Sequence, residues 1–381
     1  MLFALLVLSC NSDTTKTKDT TKIEDTDQLN TNETDTNEID TEDRTNEDTS
    51  VFEEEEPESS YNYEIPNRDL CDHDLDMTHG FLCAIRPSRL DPMARDQFGT
   101  DSLLDRTLGF GYHVVAFPAI DQEIKGVYVH FTGSMGRAFN QNNEAFPSST
   151  LLDEAMKAGF ITIQIAYHNR HAVNSPEECL GSTDVDNCAG GVRLEKITGE
   201  DISEVVDVPL SDSINQRIKT VVQYFEQQDF IFPVSIVDEN AINWSELVVG
   251  GHSQGSGHAL YIEKYWNSAH TCLFGGPYDV ADTVPEGPVE NIADWYLDED
   301  FLVDITKVRG LISIDDNNYD QFVQSYNILN MQQGIHWQSI EAPVYNDING
   351  DSISGHGAVV HDPAFMQQRY ETCFSHTQEN R

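Results

Sequence analysis

The pentapeptide Gly251-His252-Ser253-Gln254-Gly255 constrains this chain more than any other stretch, because of what flanks it. A short apolar run, Leu247-Val248-Val249, enters it, and a helix-like run, Gly257-His258-Ala259-Leu260-Tyr261-Ile262, leaves it. Strand, glycine-flanked turn and helix in succession make one β/α step. The glycines let neighbouring backbone pass closely and the serine is pressed into a tight bend. Similar steps recur past residue 105. Lys125 to Phe131 reads as a strand running into the glycine-containing loop Thr132-Gly133-Ser134-Met135-Gly136, and Ser149 or Thr150 can cap a helix reaching Gly159. Phe160 to Tyr167 reads as the next buried strand. Ile214, Ile218, Val221, Val222 and Phe225 form one stripe of an amphipathic helix, with Ser213 and Gln216 at capping-box spacing. Strands alternating with helical patterns imply an α/β fold with a mostly parallel sheet. Between His168 and Pro209 no periodicity is evident, so a long loop is expected there.

A G-x-S-x-G serine in strand-turn-helix context resembles the nucleophile elbow of the α/β-hydrolase superfamily, over roughly Lys125 to Cys373. The resemblance implies an eight-stranded, mostly parallel sheet flanked by helices, with inserted loops or a cap. It also implies a catalytic serine, acid and histidine in that chain order, and no metal or organic cofactor. Ser253 is then the nucleophile. Gly310 to Ile314 reads as a late strand with Asp315 and Asp316 just beyond it; Ser313 to Asp316 matches the small-x-x-Asp spacing of the superfamily, which favours Asp316 over Asp315. Asp279 is third in order, and Asp320 is expected on the following helix. His356, in Gly355-His356-Gly357 after the strand-like Trp337 to Glu341, takes the position of the base, with His361 and His336 behind it. The oxyanion donors implied are the backbone N–H groups of Gln254 and of Ser134, the latter within one residue either way.

Charge is the other strong feature: 22 Lys+Arg against 66 Asp+Glu, a formal net charge of −44. Such a surface repels phosphate backbones and anionic headgroups, which disfavours nucleic-acid binding and electrostatic membrane docking and mildly favours neutral or cationic substrates. Residues 11–60 hold 18 Asp/Glu and 4 Lys/Arg, and almost nothing apolar. A segment of that composition cannot offset its ordering entropy. The remaining chain is still strongly acidic, as in a protein adapted to salt or in an acidic secreted one. Its 39% hydrophobic content supports a substantial core.

Leu2 to Leu8 is an apolar run too short to span a bilayer, and Val7-Leu8-Ser9-Cys10 resembles a bacterial lipobox, although no Lys or Arg precedes the run. The expected organisation is a signal peptide over 1–9, a lipid-anchored acidic linker over 10–60 reaching roughly 40 Å from Cys10, and an α/β-hydrolase domain over 61–381. Membrane contact is expected only through that anchor. The alternative is free secretion. Six further cysteines suit disulfides in an oxidising space. Short local loops favour Cys71 with Cys83 and Cys179 with Cys188, leaving Cys272 with Cys373. Two weaker patterns are the partial calcium-loop spacing of Asp347, Asn349 and Asp351, which also fits an ordinary turn, and the acidic Asp72 to His79 segment. Trp295 and Tyr296 fit either a pocket lining or the core.

The expected activity is that of an exported serine hydrolase acting on a small carboxylic ester. A peptidase or amidase shares the same triad logic, and a surface-binding protein with a silent site is the reading from another class.

Overall fold

The computed structural model describes residues 61, 63–96, 111–140, 144–180, 187–279 and 292–375. The expected signal peptide, the expected linker and Cys10 lie outside the described residues. Contacts divide the chain into two units, 1–58 and 59–381, and the described residues all lie in the second.

Among the described residues, nine strands form one sheet: β1 (His73–Met77), β2 (Gly80–Ile85), β3 (His113–Pro118), β4 (Gly126–Phe131), β5 (Phe160–Ile165), β6 (Leu247–His252), β7 (His270–Phe274), β8 (Val308–Ser313) and β9 (Trp337–Ile340). Their spatial order is β1-β2-β3-β5-β4-β6-β7-β8-β9. The first three pair antiparallel, β3 is antiparallel to β5, and the other six run parallel. This is the mostly parallel sheet implied by the hydrolase resemblance, with one strand more than the expected eight. The addition is the edge strand β1, whose His-Asp-Leu-Asp-Met sequence reads as acidic loop because only one face of it meets protein. Arg68 holds Asp74 and Asp76 there, while Asp72 just before the strand pairs with Arg86 and Arg89.

Among the described residues, seven helices of seven residues or more flank the sheet: α1 (Ser149–Lys157), α2 (Cys188–Thr198), α3 (Ile214–Glu226), α4 (Gln254–Trp266), α5 (Tyr319–Ile328), α6 (Gly355–His361) and α7 (Met366–Cys373). All six residues of β4 and of β5 are buried, because helices cover both faces. Val127, Val129 and Phe131 of β4 pack into one cluster with Ile218, Val221 and Val222 of α3. Tyr128, pointing the other way, packs with Leu151 and Ala155 of α1 and Val359 of α6.

The expected loop from His168 to Pro209 contains α2. Its apolar stripe is broken by Arg193, Glu195 and Lys196, which are nevertheless buried. Lys196 pairs with Glu178, and Glu195 accepts the backbone N–H groups of Ser203 and Val208. Charges placed inside erase the periodicity that marks a helix. The strands and helices that the sequence did predict fall within a few residues of their expected bounds, and Ser213 Oγ accepts the Gln216 N–H as a cap for α3. Disulfides join Cys71–Cys83, Cys179–Cys188 and Cys272–Cys373.

Candidate active site

Parallel register fixes the place of the site. Phe131 pairs with Gly251, His252 with Phe274 and Phe274 with Leu311. The segments following β4, β6, β7 and β8 therefore emerge together at one edge of the sheet.

Ser253 links β6 to α4 with φ +55° and ψ −119°. A non-glycine residue held there costs on the order of 1–3 kcal/mol, so its surroundings must over-determine it. Ser253 N–H donates to the Phe274 carbonyl at 2.9 Å, and the Ser253 carbonyl accepts the Ser256 N–H and hydroxyl at 3.0 and 2.5 Å. A Cβ on Gly251 would overlap the Gly255 carbonyl, and one on Gly255 would overlap that of Phe131. Side chains on both glycines are excluded, which is why the pentapeptide was legible.

The loop after β4 lies against this bend: a Cβ on Gly133 would stand 3.0 Å from that of Ser253. Asn169, buried, braces the loop by donating to the carbonyls of Gly133 and Gly136, both at 2.8 Å. Met135 N–H is taken by the Asn169 carbonyl and Gly136 N–H by that of Gly133. The Ser134 hydroxyl donates to Gln254 Oε1 at 2.8 Å, tying the two expected oxyanion residues to each other. Gln254 opens the 13-residue helix α4, where the macrodipole favours negative charge.

His356 sits in the first turn of α6, with Ser354 Oγ capping the Gly357 N–H. The histidine expected in a loop is thus held by a helix. Its Nδ1 is 2.5 Å from Asp316 Oδ2. Asp316 is buried, and its other oxygen accepts the Asn318 N–H at 2.9 Å. Asp315 is exposed and accepts the Tyr345 hydroxyl at 2.6 Å instead. Asp279 faces Arg193, and Asp320 lies on α5. Of the other histidines named, His361 packs toward His252, with ring centroids 6.2 Å apart, and His336 accepts the Gln332 N–H. One pocket is lined by Ser253, Gln254 and His356 together, and His356 is the only histidine among its described lining residues.

Two residues away from the serine–histidine–aspartate set support this arrangement, and only the second, Trp295, was marked by the sequence. Arg193, on the unforeseen α2, pairs bidentately with Asp279 at 2.5 and 2.6 Å and donates to the Gln254 carbonyl at 3.2 Å. Trp295, buried with Tyr296, donates its indole N–H to Asp279 at 2.9 Å. His252 Nε2 lies 2.8 Å from the His356 carbonyl, which binds the residue before the serine to the histidine's helix. Burial keeps His252 well below the usual imidazole range, hence neutral and able to donate that bond.

No group of three or more metal-ligating side chains occurs among the described residues. Asp347 accepts the N–H groups of Asn349 and Asp351, forming an Asx-type turn between two short strands.

No family model matches the sequence, and no curated protein does. Solved structures with a similar course of chain include an S-formylglutathione hydrolase from Agrobacterium tumefaciens, 12% identical, covering 79% of this chain and 99% of that one at a TM-score of 0.37. An S-formylglutathione hydrolase from Staphylococcus aureus is 14% identical, covering 77% and 95% at 0.34. Thermogutta terrifontis esterase 2 is 9% identical, covering 70% and 84% at 0.33.

Proposed function

We propose that this protein is a serine hydrolase that cleaves carboxylic esters through an acyl-enzyme, in the manner of a carboxylesterase. The observation that carries the reading is Ser253 at positive φ beside the same pocket as His356, whose Nδ1 is paired with buried Asp316. His356 Nε2 accepts the Ser253 proton as Oγ attacks the ester carbonyl. Asp316 fixes the tautomer and stabilises the imidazolium. The backbone N–H groups of Gln254 and Ser134 receive the developing oxyanion, each donor worth about 3 kcal/mol. His356 then protonates the departing alcohol, and water attacks the acyl-enzyme by the same route in reverse. These steps use no metal or organic cofactor.

Initial rates on p-nitrophenyl acetate test the reading. Turnover is expected in the native protein and its loss in Ser253→Ala. Cleavage of peptide or amide substrates at comparable kcat/KM would move the assignment to a peptidase or amidase. A folded protein without either activity would point to a silent binding protein. We further propose export as a lipoprotein attached through Cys10. The apolar run and the small residue before Cys10 support it. Mass spectrometry of the mature N-terminus should find a diacylglycerol-modified Cys10, and an unmodified residue there would mean free secretion.

A further inference from the structure

The pocket beside Ser253 carries a row of neutral hydrogen-bonding side chains that the acyl-transfer steps do not use. Asn174, Tyr278 and Asn318 come from three separate stretches of chain, and all three line it. The Tyr278 phenol donates to Asn318 Oδ1 at 3.1 Å, and Asn174 lines the same pocket beside it. With Oδ1 engaged, Asn318 has its NH2 group to offer as a donor. The row is anchored to the catalytic constellation, because the Asn318 backbone N–H holds Asp316 while Asp316 holds His356. Phe322 backs both ends, its ring 5.7 Å from that of Tyr278 and 6.3 Å from that of His356.

These groups decide which substrates bind well. An alkyl chain pressed against two amides and a phenol strips their water and returns no hydrogen bond, whereas a hydroxyl restores it. A charged group is no better served. The permanent cation among the described lining residues, Arg193, is neutralised by Asp279.

We propose that Asn174, Tyr278 and Asn318 form a subsite for a neutral, hydroxyl-bearing part of the substrate, so that the enzyme prefers hydroxylated esters to plain alkyl esters. This rests on the serine-hydrolase reading and specifies its substrate class. Matched pairs test it: p-nitrophenyl 3-hydroxybutyrate against p-nitrophenyl butyrate for the acyl side, and glyceryl monobutyrate against propyl butyrate for the alcohol side. The hydroxylated member of at least one pair should have kcat/KM higher by tenfold or more, and the pair showing it identifies the side bound. Tyr278→Phe, which removes one hydroxyl, should cut that ratio about tenfold. Asn318→Ala should do the same while keeping the backbone bond to Asp316, so that either variant alone keeps the test alive. Equal or inverted ratios in the native enzyme, or ratios unmoved in both variants, would overturn the subsite and leave the hydrolase reading intact. If no ester is turned over and Ser253 takes no fluorophosphonate, the hydrolase reading fails and the subsite with it.

Discussion

Replacing Asp316 by Asn isolates one charge. The Asp316 carboxylate is buried and stands 2.5 Å from His356 Nδ1. In the proposed mechanism His356 takes the proton of Ser253, which would form an imidazolium about 4 Å, charge centre to charge centre, from that carboxylate. At an effective dielectric of about 20 their attraction is roughly 4 kcal/mol. Asn removes it and also presents an N–H where an acceptor is needed, favouring the wrong tautomer. Together these effects should lower kcat about 10³- to 10⁴-fold, with KM changed little, because the charge matters in the transition state more than in the ground state. Asp315→Asn is the internal control. That side chain accepts from Tyr345 and is exposed, and an amide oxygen can keep the bond, so kcat should stay within about threefold. Initial rates on p-nitrophenyl acetate at pH 8 separate the two, with circular dichroism confirming that both variants fold. Equal losses in both, or an Asp316→Asn enzyme within tenfold of native, would refute the assignment of the acid.

Further outcomes follow from the packing. Arg193→Met leaves Asp279 buried without its cation and should lower unfolding free energy by about 3–5 kcal/mol in urea titrations; a change under 1 kcal/mol would mean the pair adds nothing. Opening Cys272–Cys373, 101 residues apart, should cost about 4.7 kcal/mol on chain-entropy grounds, against about 2.6 kcal/mol for Cys179–Cys188, 9 apart. Midpoints of the two double-serine variants should fall in that order. Stability should also depend on pH. His113, His130 and His258 are buried and held below the usual imidazole range by desolvation, His130 down to about 3, so they take up protons only on unfolding. Their contribution is complete above about pH 6.5 and is lost as pH falls. Glu263, pushed up to about 7 by burial, acts in the opposite sense: its stabilisation is complete below about 4.5 and is lost as pH rises through 7. With His252 and His168 held low by burial as well, the histidines outweigh Glu263, and unfolding free energy should fall as pH drops from 6 to 5. Urea midpoints that stay flat over that interval would contradict it, and Glu263→Gln should steepen the fall.

What the sequence made legible followed from steric necessity. Gly251 and Gly255 have no room for a side chain, so the bend that presents Ser253 is written in residue identities. The strands β4, β5, β6 and β8 were readable because they are buried on both faces and mostly apolar. Adjacent aspartates are a different matter. Asp315 and Asp316 have equal chemistry, and the direction each side chain takes is set by the turn after β8, which spacing alone does not determine. Helix α2 stayed hidden because its buried charges find partners far away in sequence: Arg193 meets Asp279, and Glu195 meets the turn before α3. The antiparallel edge β1–β2 was passed over for a related reason, since an acidic edge strand looks like solvated loop until its arginine partners are known.

The most direct measurement is covalent labelling of the native protein with a fluorophosphonate, followed by peptide mapping. An activated Ser253 predicts a single adduct on that residue, formed at a rate that drops by orders of magnitude in His356→Ala. An adduct elsewhere, or labelling of Ser253 that is indifferent to His356, would contradict it.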